Sequence, residues 1–108
     1  MPYYHLALET GDALDDEGAP VSWATCPDLP GAYEEAPTAA EARARLHELA
    51  RRIIAEHLMR DDPLDPAIVA TPGPPPTASP ETLAVAVTDA DIETARATPM
   101  LVIEAPEP

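Results

Sequence analysis

The chain has 108 residues, and its 20 acidic residues outnumber its six basic residues, all of them arginine, to give a formal charge of −14. This balance excludes a protein that binds nucleic acid directly through a positive surface, and the length fits one small domain. Aromatic residues make up only 4% of the chain, and 21 residues are alanine. We therefore expect a thin core and a homodimer or higher oligomer that helps to stabilise it.

Three features of the sequence predict a cytoplasmic protein that does not enter a membrane. Cys26 is the only cysteine, so the chain cannot form an internal disulfide. The first ten residues lack the basic start and the apolar run of a signal peptide. No stretch approaches the roughly 18 apolar residues that a membrane-spanning helix needs.

Two strands are predicted before the first tight corner. Residues 3–10 alternate, with one apolar face formed by Tyr4, Leu6 and Leu8, and residues 21–26 form a second short β-prone run. Residues 11–20 between them are predicted to be an acidic turn. Alternation places the small side chains of Ala24 and Cys26 under a helix and puts Trp23 on the opposite face of the sheet.

The second strand leads into a corner that contains Pro27, Asp28, Leu29, Pro30 and Gly31. The prolines restrict φ, and the glycine is able to adopt a positive φ, so the chain is expected to reverse here into a third strand over residues 32–35. We expect the Asp28 carboxylate to accept hydrogen bonds from backbone amides of its own turn. The alternative, a catalytic carboxylate, would need further carboxylates converging on metal ions.

Residues 38–60 have the pattern of an amphipathic helix. Thr38 and Glu41 fit a capping box, and one broad stripe is apolar, formed by Ala42, Leu46, Leu49, Ala50, Ile53, Ile54 and His57. On the opposite face the spacing predicts the i,i+4 ion pairs Glu41–Arg45, Glu48–Arg52 and Glu56–Arg60. The helix is expected to end at Asp61, Asp62 and Pro63.

The remainder of the chain is predicted to be a proline-rich connector over residues 63–81 and a C-terminal region over residues 82–108. In that region we expect strands at 83–87 and 100–104, with a short helix at 88–98 between them. Residues 1–62 form the predicted core. The fold class is α+β, in which one main helix covers one face of an antiparallel sheet in the order β-β-β-α-β, with an extra short helix and strand.

The segment from Cys26 to Gly31, followed by Thr38 and by Glu41 with Ala42, resembles the N-terminal domain of HicB-family antitoxins over residues 2–66. The resemblance implies a β-β-β-α-β domain that binds and blocks a small, basic, mRNA-cleaving HicA-type toxin. Family members that repress their own operon carry an additional DNA-binding module. Residues 61–108 contain one arginine and no lysine, so we expect no such module and no direct contact with nucleic acid.

The charge division along the chain agrees with an acidic protein that binds a basic partner. Residues 1–37 hold eight acids and neither lysine nor arginine, residues 38–60 have a net charge of +2, and residues 61–108 have a net charge of −8. An acidic surface would compete for the positive surface with which a toxin approaches RNA. We expect the helix to serve as a scaffold and the acidic sheet to serve as the interface.

Trp23 is the central residue of the predicted partner-binding surface. An indole on the open face of a sheet should be covered by the C-terminal segment, by a second copy of the chain, or by a toxin. The predicted acidic rim consists of Asp15, Asp16, Glu34 and Glu35. The alternative for these acids is a solvated loop.

No catalysis, metal or cofactor is expected. Cys26 with a histidine base would be a nucleophile in a small hydrolase, but a small apolar thiol at a strand end is more typical of packing. His47 and His57 lie about 15 Å apart along the predicted helix, too far to share a zinc ion. The alternative function is an orphan HicB-fold interaction or structural protein without a toxin partner.

Overall fold

A computed structural model describes residues 2–74 and 81–97. In these two segments the elements follow in the order β1 (Tyr3–Ala7), β2 (Glu9–Leu14), β3 (Pro20–Thr25), β4 (Tyr33–Ala36), α1 (Ala39–Arg60), β5 (Val69–Thr71), β6 (Thr82–Ala86) and α2 (Asp89–Ala97). The fold is α+β with one main helix. The predicted strand at 100–104 lies outside the described residues.

The strands form two antiparallel sheets of three strands each, where the sequence predicted one sheet. The first sheet has the order β5-β1-β6, and the second has the order β2-β3-β4. The predicted first strand is divided at Leu8, which is buried and whose N–H donates to the carbonyl of Glu81 at 2.9 Å. The chain therefore leaves one sheet and enters the other within a single predicted strand.

Residues 11–14, which were predicted to be part of an acidic turn, belong to β2. The pairing of β2 with β3 runs from Glu9 opposite Thr25 to Leu14 opposite Pro20. The reversal is confined to residues 15–19, where Asp15 Oδ1 accepts from the N–H groups of Glu17 at 2.9 Å and Ala19 at 2.8 Å. Glycine and aspartate have low β-propensity, and the cross-strand pairing of the hairpin overrides that local preference.

The core lies between the sheets and α1. Apolar residues from both sheets and the helix are buried together, including Leu6, Ala24, Cys26, Leu46, Ile54 and Val85. α1 packs on β3 and β4 and also contacts β6. The many alanines on these surfaces let the helix approach the second sheet closely, and their small side chains make the core thin.

Thr38 caps α1 with an extended backbone at φ −129° and ψ 157°. Its hydroxyl oxygen accepts from the Glu41 N–H at 3.2 Å, and the hydroxyl donates to Glu41 Oε1 at 3.2 Å. The Glu41 carboxylate thus contacts the side chain of the cap, whereas a standard capping box would bring it to the cap's backbone N–H. At the other end Asp61 is left-handed, with φ 62°, and the Asp62 N–H donates to the carbonyl of His57 at 2.8 Å.

The predicted connector contains a strand, because Val69–Thr71 forms β5 and pairs with β1. Residues 75–80 of the connector are outside the described part. Of the three elements predicted after the connector, the strand at 83–87 is present as β6 and the helix at 88–98 as α2. α2 lies against α1, and Arg51 Nη1 donates to Asp91 Oδ1 at 2.8 Å.

Candidate partner-binding surface

The outer face of the second sheet, which points away from α1, contains Trp23. The strand register places Gly11 and Glu35 on either side of Trp23, and it places Tyr33 beside Thr25. Because directly opposite residues share a face of the sheet, this surface is formed by Glu9, Gly11, Ala13, Val21, Trp23, Thr25, Tyr33 and Glu35. We call this set the aromatic face. It includes two acids and no basic residue.

The two aromatic rings on this face are nearly parallel. The ring centroids of Trp23 and Tyr33 are 6.4 Å apart, and their planes differ by 17°. The indole lies across Gly11, where a Cβ atom would come within 2.4 Å of Trp23 Cζ2. Trp23 is half-buried by these neighbours, whereas Tyr33 remains 49% exposed. Neighbours within the same sheet therefore cover part of the indole and leave the Tyr33 ring accessible to a partner.

A carboxylate is held at the edge of the Tyr33 ring. The Tyr33 hydroxyl donates to Glu35 Oε2 at 2.6 Å. This hydrogen bond raises the pKa of Tyr33 above its ordinary value of 10.0 because the phenol donates its proton to an anionic acceptor. The pair combines an exposed aromatic surface with a negative charge, which are the two features that attract an organic cation.

The other predicted rim residues occupy different places. Glu34 lies opposite Ala24 in the register and faces α1, close to Arg45 and Arg52, so it is on the other face from Glu35. Asp15 and Asp16 lie in the turn at the tip of the β2–β3 hairpin, and both are exposed. One oxygen of Asp15 is used by the turn itself. The structure thus joins Trp23 with Glu35 and separates Glu34 from them.

The sequence interpretation did not include Gly11 or Tyr33 in the surface. The register between β2 and β3 places Gly11 beneath the indole, and that register was hidden because residues 11–14 were predicted to be a turn. A glycine facing a tryptophan on the neighbouring strand is the signal that could have identified it. Tyr33 could have been found from the alternation that places it on the face of Glu35.

The corner from Pro27 to Gly31 shapes the end of this sheet. It is held by backbone hydrogen bonds from the Leu29 N–H to the Cys26 carbonyl at 3.0 Å and from the Ala32 N–H to the Leu29 carbonyl at 3.1 Å. Gly31 has φ 88°, a left-handed conformation that glycine adopts without strain. Among the described residues the Asp28 carboxylate accepts no hydrogen bond from the corner, so the expected side-chain bridge is absent. The prolines and Gly31, with the backbone bonds, are sufficient to close the corner.

Cys26 is buried where the corner begins. Burial raises the pKa of its thiol from 9.0 to about 11, and the nearby Asp28 carboxylate adds to that effect. A thiol with such a pKa is almost entirely protonated at neutral pH, and the thiolate is the reactive form. This environment favours packing over nucleophilic chemistry.

Three arginines of α1, Arg43, Arg45 and Arg51, bind other parts of the chain. Arg43 Nη2 donates to the Thr82 carbonyl at 2.8 Å, and Arg45 Nη1 donates to the Glu35 carbonyl at 3.0 Å. Of the three predicted ion pairs in the described helix, only Glu56–Arg60 forms, with 2.9 Å between Oε1 and Nη2. Arg45 reaches β4 instead of Glu41, and Glu48 pairs with Arg51 instead of Arg52, in contrast to the prediction. These arginines tie the helix to both sheets and to α2.

The outer face of the first sheet has a different composition. Its register joins Tyr3, His5, Ala7, Val69, Thr71, Thr82, Ala84 and Ala86. We call this set the neutral face because it contains no aspartate, glutamate, lysine or arginine. Val69 is 56% exposed there, and His5 Nε2 lies 2.7 Å from Thr71 Oγ1.

Within residues 2–74 and 81–97, no group of three or more histidine, cysteine or acidic side chains is arranged to hold a metal ion. No helix in the same ranges is both long and apolar enough to cross a membrane. Neither a family model, a curated protein nor a solved structure matches the chain. The surface therefore has to be interpreted from its own chemistry and from the motif around the corner.

Proposed function

We propose that the protein is a HicB-like antitoxin that binds and neutralises a small, basic, mRNA-cleaving HicA-type toxin. The observation that carries the proposal is the aromatic face, where Trp23, Tyr33 and Glu35 form one continuous surface. Tryptophan and tyrosine are the residues that most often dominate binding energy at protein interfaces. The proposal includes no DNA-binding module and no catalytic step.

Charge favours a basic protein as the occupant of this face. The strands that form it belong to residues 1–37, which hold eight acids and no lysine or arginine. A field of one sign accelerates encounter with an oppositely charged partner and repels partners of the same sign. A toxin that binds RNA has to present a positively charged surface. That surface of the toxin would also be attracted to the acidic aromatic face of this chain.

The proposal also includes a homodimer, formed through the neutral face. Two copies that each carry a formal charge of −14 repel one another, so a self-contact is favoured where no like charges meet. The neutral face meets that condition, and its exposed Val69 offers apolar area for burial. In a two-fold dimer the same patch is used by both copies. This arrangement leaves both aromatic faces accessible to toxins.

The test is co-expression of the full chain with the proteins encoded by neighbouring reading frames, followed by co-purification and an RNA-cleavage assay of any small basic protein that is bound. The proposal predicts a stable complex and loss of RNA cleavage when the chain is present at equal concentration. Cleavage that continues unchanged at saturating concentrations of the chain would contradict the antitoxin function. That result, with a folded chain, favours the orphan interaction protein.

Two variants with similarly exposed apolar side chains provide the control. Tyr33→Ala removes a ring from the aromatic face, and Val69→Ala shortens a side chain on the neutral face. We expect Tyr33→Ala to weaken toxin binding by roughly 2 kcal/mol, about 30-fold. Val69→Ala should leave toxin binding unchanged, and isothermal titration calorimetry measures both. Equal losses in the two variants would place the toxin elsewhere.

A further inference from the structure

The aromatic face places a ring surface and a carboxylate within reach of one partner side chain. The two rings are 17° from parallel, so their faces point in nearly the same direction. The Glu35 carboxylate is fixed beside them because Oε2 accepts from the Tyr33 hydroxyl at 2.6 Å. Oε1 and the remaining lone pairs of Oε2 are still able to accept from a donor on a partner.

Gly11 contributes to this geometry from the neighbouring strand. A side chain at position 11 would overlap the indole, with Cβ 2.4 Å from Cζ2. The absence of a side chain lets the indole lie across β2 next to the Tyr33 ring. The surface offered to the partner is therefore built by three strands and does not depend on a mobile loop.

A guanidinium group fits this combination better than an ammonium group. Its plane can stack on an aromatic ring while its N–H groups donate to a carboxylate at the ring edge. An ammonium group is a compact, strongly hydrated point charge, so it is less effective at contacting the ring and the carboxylate simultaneously. We infer that the Trp23–Tyr33–Glu35 surface binds an arginine side chain of the basic partner in preference to a lysine side chain. This inference rests on the proposed function, in which the partner is a basic protein.

The test uses two synthetic peptides of equal length and equal charge, one containing arginine and the other lysine at the same positions. Trp23 is the only tryptophan of the chain, so the indole fluorescence signal originates at this surface. The full chain should bind the arginine peptide about threefold more tightly than the lysine peptide, a difference of the size that one cation–π contact supplies. Equal affinities for the two peptides would overturn the inference.

Two matched variants separate this contact from general attraction to an acidic protein. Glu35→Gln and Glu34→Gln remove the same charge from adjacent residues of one strand, on opposite faces. The arginine preference should fall toward one in Glu35→Gln and persist in Glu34→Gln. Tyr33→Leu should abolish the preference while Trp23 continues to report binding. A preference that survives both Glu35→Gln and Tyr33→Leu would overturn the inference.

The peptide result and the toxin result can fail independently. Inhibition of RNA cleavage by a chain that shows no arginine preference would overturn the inference and leave the antitoxin function in place. An arginine preference that disappears in Tyr33→Leu, in a chain that does not inhibit the toxin, would support the cation site and contradict the antitoxin function.

Discussion

The two sheets present outer faces of opposite character, although both belong to one small acidic chain. The aromatic face on β2-β3-β4 combines two stacked rings with the carboxylates of Glu9 and Glu35. The neutral face on β5-β1-β6 has no charged aspartate, glutamate, lysine or arginine and exposes Val69. The formal charge of −14 is therefore distributed unevenly between the two outer faces, so its effect on binding differs from one face to the other.

The difference indicates how one chain can bind itself and a basic partner without competition between the two. Like charges disfavour self-contact at the aromatic face, whereas opposite charges favour a basic partner there. At the neutral face no like-charged side chains meet, so the electrostatic penalty on binding a second copy is smaller there than at the aromatic face. α1 lies behind both faces, and its Arg43, Arg45 and Arg51 donate hydrogen bonds to other parts of the chain.

The largest expected change in self-association follows from a charge placed on the neutral face. Val69→Asp brings two additional carboxylates into the proposed dimer contact, one from each copy. We expect the dimer to weaken by roughly 2 kcal/mol, about 30-fold in dissociation constant, and analytical ultracentrifugation measures the change. Inhibition of the toxin should be unaffected, because the aromatic face is unchanged.

Tyr33→Ala is the reciprocal variant for this comparison. It should leave the sedimentation behaviour of the chain unchanged while it weakens toxin binding. A wild-type chain that is monomeric at micromolar concentration would contradict the dimer. A dimer that Val69→Asp does not weaken would show that two copies meet through another surface.

The second prediction concerns the glycine beneath the indole. Gly11→Val forces the indole away from β2, because Cβ alone would lie 2.4 Å from Cζ2. We expect a loss of roughly 2 kcal/mol in the free energy of unfolding, measured by urea denaturation, together with a red shift of Trp23 fluorescence. Ala13→Val changes the same face of the same strand two residues away and should alter stability by less than about 0.5 kcal/mol. Similar losses in both variants would show that the indole does not depend on Gly11.

The sequence predicted the elements whose signals are local. The alternation of Tyr4, Leu6 and Leu8 identified their buried face, and the capping pattern at Thr38 identified the start of α1. Gly31 and the prolines around it identified the corner. Each of these signals depends on a few consecutive residues whose backbone preferences agree with the final fold.

The sequence did not predict features that depend on pairing between distant residues. The division of the first strand at Leu8 reflects a change of pairing partner, because Ala7 pairs with Thr82 of β6 in the first sheet and Glu9 pairs with Thr25 of β3 in the second. β5 is three residues long and is defined by its pairing with β1. The composition of the aromatic face depended on the β2–β3 register, so Trp23 and Glu35 were predicted while Gly11 and Tyr33 were missed. Arg45 was assigned to Glu41 because helical spacing contains no information about the edge of a neighbouring strand.

The third prediction compares how α1 holds the two sheets. Arg43 donates to the Thr82 carbonyl in the first sheet, and Arg45 donates to the Glu35 carbonyl in the second. Arg43 is half-buried and Arg45 is exposed, so we expect Arg43→Ala to cost about 1.5 kcal/mol of unfolding free energy and Arg45→Ala about 0.5 kcal/mol. Urea denaturation gives the totals. Hydrogen exchange should show faster exchange near β6 for Arg43→Ala and near β4 for Arg45→Ala, and the same exchange pattern in both variants would contradict the separate roles.

The smallest expected effect is a change in one pKa on the aromatic face. The hydrogen bond to Glu35 raises the pKa of Tyr33 above 10.0, so its contribution to stability is complete below about pH 10 and is lost as the pH rises through the raised pKa. Glu35→Gln removes the anionic acceptor and should return the pKa of Tyr33 toward its ordinary value, whereas Glu34→Gln on the opposite face should leave it unchanged. Titration of the Tyr33 ring by NMR measures both variants. An equal decrease in the two variants would mean that the overall negative charge of the chain, and not the hydrogen bond, sets the pKa of Tyr33. The Glu35 carboxylate would then not be held at the edge of the Tyr33 ring, where one arginine could contact the ring and the carboxylate together.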